Sequence, residues 1–149
     1  MMTACGESRK AAEPEKLGEK FEKTAVITMY DREYTAKLRR GGADIWECEF
    51  TQPETVAGLK MTASGDNCRL EFQGLEYTAD RSVLPEYGAM PLITGALDAM
   101  IAGRDISCTE KDGKLTETGI ISGQDFTARV SKGEIRSLEI SDCLKAKFS

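Results

Sequence analysis

The residues able to perform catalysis are few, because the sequence contains no histidine. Serine and cysteine nucleophiles ordinarily need histidine as their general base. The remaining candidates for acid and base chemistry are two carboxylate pairs, Glu47 with Glu49 and Glu117 with Asp125. Alternation along the chain places Glu47 and Glu49 on a solvated strand face. We therefore predict that the protein is not an enzyme.

The cysteines form no recognisable metal or redox motif. Cys48, Cys68 and Cys108 fall on the apolar face of their sequence pattern, whereas Cys143 is expected to point outward. There is no Cys-x-x-Cys spacing, and without histidine a zinc site is not supported, so we expect neither a metal nor a cofactor. These four cysteines permit three complete disulfide pairings, among which the sequence does not choose. Our interpretation is that most are reduced core residues.

Apolar residues fall on alternate positions from Thr24 to Ser149, which is typical of half-buried antiparallel strands. Glycine, asparagine and aspartate separate these runs and favour tight hairpin turns. The pattern predicts eleven strands, near 24–30, 33–40, 44–51, 57–64, 67–73, 75–80, 105–110, 114–121, 124–131, 134–140 and 143–148.

A single apolar segment, Pro91 to Ala102, interrupts the alternation and predicts a helix. Pro91 suits the first helical position, and Gly103 suits a left-handed cap. The apolar residues share one half of the helical wheel, and they are Leu92, Ile93, Ala96, Leu97, Met100 and Ile101. We expect Thr94, Gly95 and Asp98 to lie on the opposite, solvent-facing side.

The predicted sheet is too wide for one helix to cover. Eleven strands at about 4.8 Å spacing span roughly 50 Å, whereas a helix is only about 10–12 Å across. We therefore predict a mainly β (α+β) fold, in which a single strongly curved antiparallel sheet of about 11 strands forms an unclosed half-barrel around one apolar helix. A ligand in the concave hollow is expected to contact Trp46, Phe50, Met61, Leu70, Phe72 and Tyr77 from the sheet and Leu92, Ile93, Leu97, Met100 and Ile101 from the helix.

Length and charge favour one monomeric domain that does not bind nucleic acid. A chain of 149 residues can bury enough surface to be stable without crosslinks. Its net charge is −5, and its sequence has no basic cluster, which argues against a nucleic-acid partner. No apolar run approaches the roughly 20 residues of a membrane-spanning helix.

The first 23 residues differ in composition from the predicted domain, which spans 24–149. Between Glu7 and Lys23 acidic and basic residues are equally frequent, as in a tether. The preceding Ala4-Cys5-Gly6 resembles the cleavage site of bacterial lipoproteins, in which the cysteine is lipid-modified. This resemblance implies an extracytoplasmic protein anchored to the bacterial cell membrane through Cys5. The alternative is an ordinary free cysteine.

Three longer stretches resemble the LolA/LolB-like bacterial lipoproteins, particularly the Gram-positive, Clostridia-like group. They are Phe50 to Met61 (FTQPETVAGLKM), Phe72 to Tyr77 (FQGLEY) and Tyr87 to Asp98 (YGAMPLITGALD). The resemblance covers residues 21–149 and implies an unclosed barrel of about eleven strands whose hollow is covered by helices. It also implies binding of a lipid, an acyl chain or another apolar group, or use as an envelope sensor or partner-binding module.

Two functions therefore remain open at the level of sequence. The first is an envelope lipoprotein that binds a hydrophobic ligand in its hollow. The second is a surface-tethered module with a filled core that binds a protein partner in the cell envelope. A cavity of a few hundred Å³ would favour the first function, and a hollow filled by the helix would favour the second.

Overall fold

A computed structural model describes residues 10–11, 17–18, 20–80 and 88–149. Within these residues the chain forms twelve strands and one helix. The strands are β1 (Lys10–Ala11), β2 (Phe21–Met29), β3 (Arg32–Gly42), β4 (Ile45–Gln52), β5 (Lys60–Ser64), β6 (Asn67–Phe72), β7 (Leu75–Asp80), β8 (Ser107–Lys111), β9 (Lys114–Ile121), β10 (Gln124–Ser131), β11 (Glu134–Ile140) and β12 (Leu144–Phe148). The helix, α1 (Ala89–Ala102), lies between β7 and β8.

All twelve strands belong to one antiparallel sheet in the order β1-β8-β9-β10-β11-β12-β2-β3-β4-β5-β6-β7. The pairing of β12 with β2 joins the C-terminal strands to the N-terminal ones. The sheet does not close, because β1 and β7 form its two edges in the described part of the chain. This architecture confirms the predicted curved half-barrel with one helix. All eleven predicted strands are present, and the two-residue β1 is an addition.

The hairpins are tight because their two central residues adopt positive φ. Asp112 and Gly113 have φ values of 54° and 77°, and Lys132 and Gly133 have 56° and 73°. Two successive residues in this conformation make the turn whose twist matches that of the flanking strands. The glycines supply the second position at no steric cost. These turns therefore place consecutive strands side by side with short connections.

Helix α1 begins two residues before the predicted start, so Pro91 is its third residue. Its missing amide hydrogen is still tolerated, since the first four amides of a helix have no partner within it. The cap at Gly103 is as predicted, with φ of 69°. Its amide donates to the carbonyl of Met100, and the amide of Arg104 donates to that of Ala99.

The predicted orientation of α1 is wrong on one side. Thr94 and Asp98 were expected to face solvent, yet they are only 4% and 7% exposed. The reason is that the sheet curls around the helix and contacts it on more than one side. Gly95, also assigned to the solvent side, lies against β9, where an added Cβ would come within 2.7 Å of the Ile121 side chain.

The core begins earlier in the chain than the composition of the N-terminal segment indicated. Leu17 and Phe21 are buried, and β2 starts at Phe21, three residues before the expected domain boundary at 24. The ring of Phe21 makes edge contacts with Trp46 and Phe148 at centroid distances of 5.7 and 6.0 Å. Cys5 and the lipoprotein-like motif lie outside the described residues.

The cysteines of the folded region are reduced. Cys48, Cys68 and Cys108 are buried free thiols, as expected for core residues. Cys143 is partly buried rather than outward-facing, since it packs against the core. Its thiol lies 3.5 Å from the carbonyl oxygen of Ile140, a contact made at the turn before β12. In the described parts of the chain, no helix is long and apolar enough to cross a membrane.

Candidate hydrophobic-binding surface

The inner face of strands β4 to β7 carries a continuous row of apolar side chains. Cys48 lies opposite Met61, Met61 lies opposite Leu70, and Leu70 lies opposite Tyr77. Residues directly opposite each other in antiparallel strands share a face. The row therefore runs without interruption from the covered part of the sheet to the β7 edge.

The part of the concave face under α1 is filled. Trp46 is 2% exposed, and only about 10 Å³ remains between the β4 and β5 side chains and the first two turns of the helix. That volume is close to the minimum that can hold one water molecule. A ligand of lipid size therefore has no room between Trp46 and α1 in this arrangement.

The predicted ligand-contacting residues divide into three groups by exposure. Five belong to the packed core, namely Trp46, Leu92, Ile93, Leu97 and Met100. Five are half-buried, namely Phe50, Met61, Leu70, Phe72 and Ile101. Tyr77 is 61% exposed. The structure thus brings five of the six sheet residues together on one surface, whereas Trp46 and most of the helix residues belong to the core.

The open end of the concave face presents an apolar surface, which we call the shelf. It consists of Phe50, Met61, Leu70, Phe72, Leu75 and Tyr77. Leu75 is 78% exposed and lies directly opposite Phe72. Our sequence-based set of ligand contacts omitted Leu75, although the alternation had placed it on the same face as Tyr77.

A buried ion pair fixes α1 against the turn end of the β3–β4 hairpin, at the end of the strands opposite the shelf. Arg40 donates through Nε to Oδ1 of Asp98 at 2.7 Å, and both side chains are at most 10% exposed. The indole Nε1 of Trp46 donates to Oδ2 of the same carboxylate at 3.0 Å. The backbone amide of Asp44 donates to Oδ2 as well, at 3.3 Å. Asp98 thereby holds together the helix and two strands.

Of the two carboxylate pairs considered for catalysis, Glu117 and Asp125 lie on opposite faces of the sheet, and Glu47 and Glu49 are on its outer face. Glu117 is fully buried on the inner face, opposite Cys108 and Ala128, whereas Asp125 is exposed on the outer face. Glu47 makes outer-face ion pairs with Arg39 and Lys60 at 3.8 and 3.5 Å. Solvated ion pairs of this kind are ordinary features of an exposed sheet face.

The buried thiol of Cys48 is also unsuited to nucleophilic chemistry. Burial raises the pKa of Cys48 to about 12, with smaller contributions from the charges of Glu47 and Cys68. A thiol with so high a pKa is almost fully protonated at neutral pH, and the thiolate is the reactive form. Within the described residues no group of three or more histidine, cysteine or acidic side chains is arranged to hold a metal ion.

No protein-family model matches the sequence, and no curated protein matches it. Among solved structures, the chain is similar to the crystal structure of the LolA superfamily protein NE2245 from Nitrosomonas europaea. The two share 11% sequence identity over 93% of this chain and 88% of that chain, with a TM-score of 0.45. A likeness of this degree carries no argument about function, and the architecture rests on the strand order described above.

Proposed function

We propose that this protein is a non-enzymatic, membrane-anchored lipoprotein of the bacterial cell envelope that binds a lipid or another hydrophobic group on the shelf. The observation that carries the proposal is the exposure of Leu75 and Tyr77 beside four half-buried apolar side chains on the same face. Contiguous exposed apolar surface on a soluble domain commonly marks a binding site. An acyl chain lying on the shelf would gain about 0.8 kcal/mol for each methylene group removed from water.

The site differs from a closed pocket, because the space under α1 is already occupied by side chains. A ligand on the shelf would be covered on one side by the sheet and would remain accessible from the open end. Such a site suits a group that is loaded and released, or one end of a larger hydrophobic molecule. The LolA/LolB resemblance supports the same class of ligand.

A binding assay with substituted shelf residues tests this proposal. A fluorescent fatty acid should bind the wild type saturably, and Leu75→Glu or Tyr77→Glu should weaken binding at least tenfold. Both residues are largely exposed, so the substitutions should leave the fold intact. Ile120→Glu is the matched control, since Ile120 is 67% exposed on the outer face of β9. If Ile120→Glu weakens binding as much as Leu75→Glu, the shelf is not the site.

The membrane anchor is a separate part of the proposal, carried by Ala4-Cys5-Gly6 and the charged segment that follows. Two acyl chains on Cys5 would hold the domain stably at the membrane, whereas one chain gives only marginal binding. In the host, the precursor with Cys5→Ser should move from the membrane to the soluble fraction. A wild-type protein that is soluble and lacks lipid by mass spectrometry would refute the anchor without affecting the shelf.

The second candidate is an envelope module that binds a protein partner through the same surface. It is favoured by the filled space between Trp46 and α1 and by the position of the shelf at an edge strand. The two candidates differ in the fatty-acid assay. A folded protein that takes up no apolar probe up to the probe's solubility limit would favour the protein-binding module.

A further inference from the structure

A second surface lies away from the shelf, toward the β1 edge of the sheet, where five basic side chains line a hollow. Its volume is about 620 Å³, and it is formed where the β8–β9 and β10–β11 hairpins end. Its basic side chains are Lys111, Lys114, Arg129, Lys132 and Arg136. We call this surface the basic hollow. Asp112 is its one acidic lining residue.

The strand register concentrates positive charge at this surface. Lys111 lies directly opposite Lys114, an arrangement that destabilises a sheet because like charges face each other. No ion pair to Lys111, Lys114 or Lys132 is found in the described ranges of the chain. The two arginines have only long contacts with carboxylates, 3.9 Å from Arg129 to Glu139 and 3.6 Å from Arg136 to Glu134.

The residue pattern alone does not predict a basic cluster, because these residues are spread over 26 positions and separated by apolar and acidic ones. The cluster forms only because β9 and β10 are neighbours and their turns lie at the same end of the sheet. The turns do offer a usable signal, since Lys114 and Lys132 adjoin Gly113 and Gly133, and Lys111 lies two residues before Gly113. The whole chain has a net charge of −5, so this patch opposes the overall charge.

The N-terminal strand β1 lies beside the basic hollow. Strand β1 pairs with β8, and Lys10 of β1 is opposite Glu110, the neighbour of Lys111. Lys10 is five positions after Cys5, and five positions of chain span at most about 18 Å. If Cys5 carries the anchor, as in the proposed function on which this step rests, the hollow is held close to the membrane surface.

We propose that the basic hollow docks on the anionic phosphate headgroups of the membrane to which the protein is tethered. Charge complementarity and the short chain to Cys5 both support this partner. Attraction to an anionic surface decays over a Debye length of about 8 Å in physiological salt. A tether of at most about 18 Å lets the lysines approach the membrane surface to within that distance.

Docking in this way would leave the shelf accessible. The β8–β9 and β10–β11 turns lie at the end of the sheet that also holds the β3–β4 and β5–β6 turns. The shelf lies at the other end of the strands, beside the β6–β7 turn at Gln73 and Gly74. A domain resting on its basic hollow would therefore present the shelf away from the membrane surface.

Vesicle binding by the unlipidated chain tests the docking surface without the anchor. The full chain with Cys5→Ser would be sedimented with vesicles of phosphatidylcholine alone or with 40% phosphatidylglycerol. We expect binding only to the anionic vesicles, weakened by raising NaCl from 50 to 500 mM. Adding Lys111→Glu, Lys114→Glu and Lys132→Glu should reduce the partition coefficient on the order of 100-fold or more, since each lysine contributes a factor of about five.

The matched control is Lys37→Glu, Lys145→Glu and Lys147→Glu, which makes the same change in net charge at exposed positions on other strands. The control should keep most of the binding. Equal losses in the two triple variants would overturn the proposal, as would an absence of binding to anionic vesicles at low salt. Saturable binding of glycerol phosphate without vesicle binding would also overturn it and identify a soluble phosphate ligand instead. Because the chain carries no lipid in this assay, a failure of the Cys5 anchor would not alter the result.

Discussion

The carboxylate of Asp98 should contribute more to stability than any surface charge of the protein. It accepts hydrogen bonds from the side chains of Arg40 and Trp46, at 2.7 and 3.0 Å, inside the core. Removing one partner of a buried ion pair typically costs 3–5 kcal/mol, because the other charge stays desolvated. We therefore expect Asp98→Ala to lower the free energy of unfolding by about 4 kcal/mol. For a chain of this length that loss corresponds to a fall in Tm of roughly 10 °C.

Urea unfolding followed by fluorescence measures this effect directly, because Trp46 is the single tryptophan and lies in the core. Asp125→Ala is the control, since it removes an exposed carboxylate from a strand and should change stability by about 0.5 kcal/mol or less. A loss below 1 kcal/mol for Asp98→Ala, with unchanged cooperativity, would refute the assigned role of the ion pair.

A double substitution separates the pair itself from the penalty of a buried charge. Replacing both partners by apolar residues, as in Arg40→Met with Asp98→Leu, removes both charges together. Buried ion pairs replaced in this way often leave stability unchanged or raise it. The double variant should therefore be more stable than Asp98→Ala. If it is less stable, the geometry of the pair contributes more than its charge.

Two further predictions concern the core. The pKa of Cys48 is raised to about 12 from its ordinary value of 9.0, so the stability that its protonated thiol contributes is complete below pH 9 and is lost as pH rises from 9 to 12. In that range the free energy of unfolding of the wild type should fall, relative to that of Cys48→Ala, by about 1.4 kcal/mol per pH unit. Parallel pH profiles of the two proteins in urea unfolding would contradict this. A Cβ at Gly119 would come within 2.7 Å of the buried ring of Phe126, so Gly119→Ala should destabilise the protein by about 1–3 kcal/mol. The comparison variant is Ala128→Gly at the centre of the next strand, which creates space instead of removing it. A thermal shift near zero for Gly119→Ala would mean that the Phe126 ring moves at little cost.

The sequence predicted the sheet well because strand alternation and turn residues are local properties. The run Leu75, Tyr77 and Ala79 identified both an edge strand and its apolar face, and glycine at Gly113 and Gly133 located two turns. Such signals need only neighbouring residues. They predicted eleven of the twelve described strands and placed the start of the helix to within two residues.

The sequence could not predict how far the sheet curls around the helix. Asp98 looked like a solvent-facing residue because its helical neighbours are apolar on one side only. Its partners Arg40 and Trp46 are more than fifty positions away, and charge alone did not indicate burial. The basic hollow escaped prediction for the same reason, since Lys114 and Lys132 meet only through the pairing of β9 with β10. Contacts that depend on tertiary register have no signature in a local pattern.

The pairing of the first long strand with the last one gives the chain an unusual folding order. Thr24 and Ser149 exchange both backbone hydrogen bonds, at 3.0 and 2.9 Å, beside the β12–β2 pairing that completes the middle of the sheet. During synthesis β12 emerges after the other described strands, and until then β2 lacks one neighbour and the two halves of the sheet cannot join. Pairing over so long a sequence separation makes folding slow. The native sheet can therefore form only after β2, β12 and the whole stretch of chain between them have been synthesised.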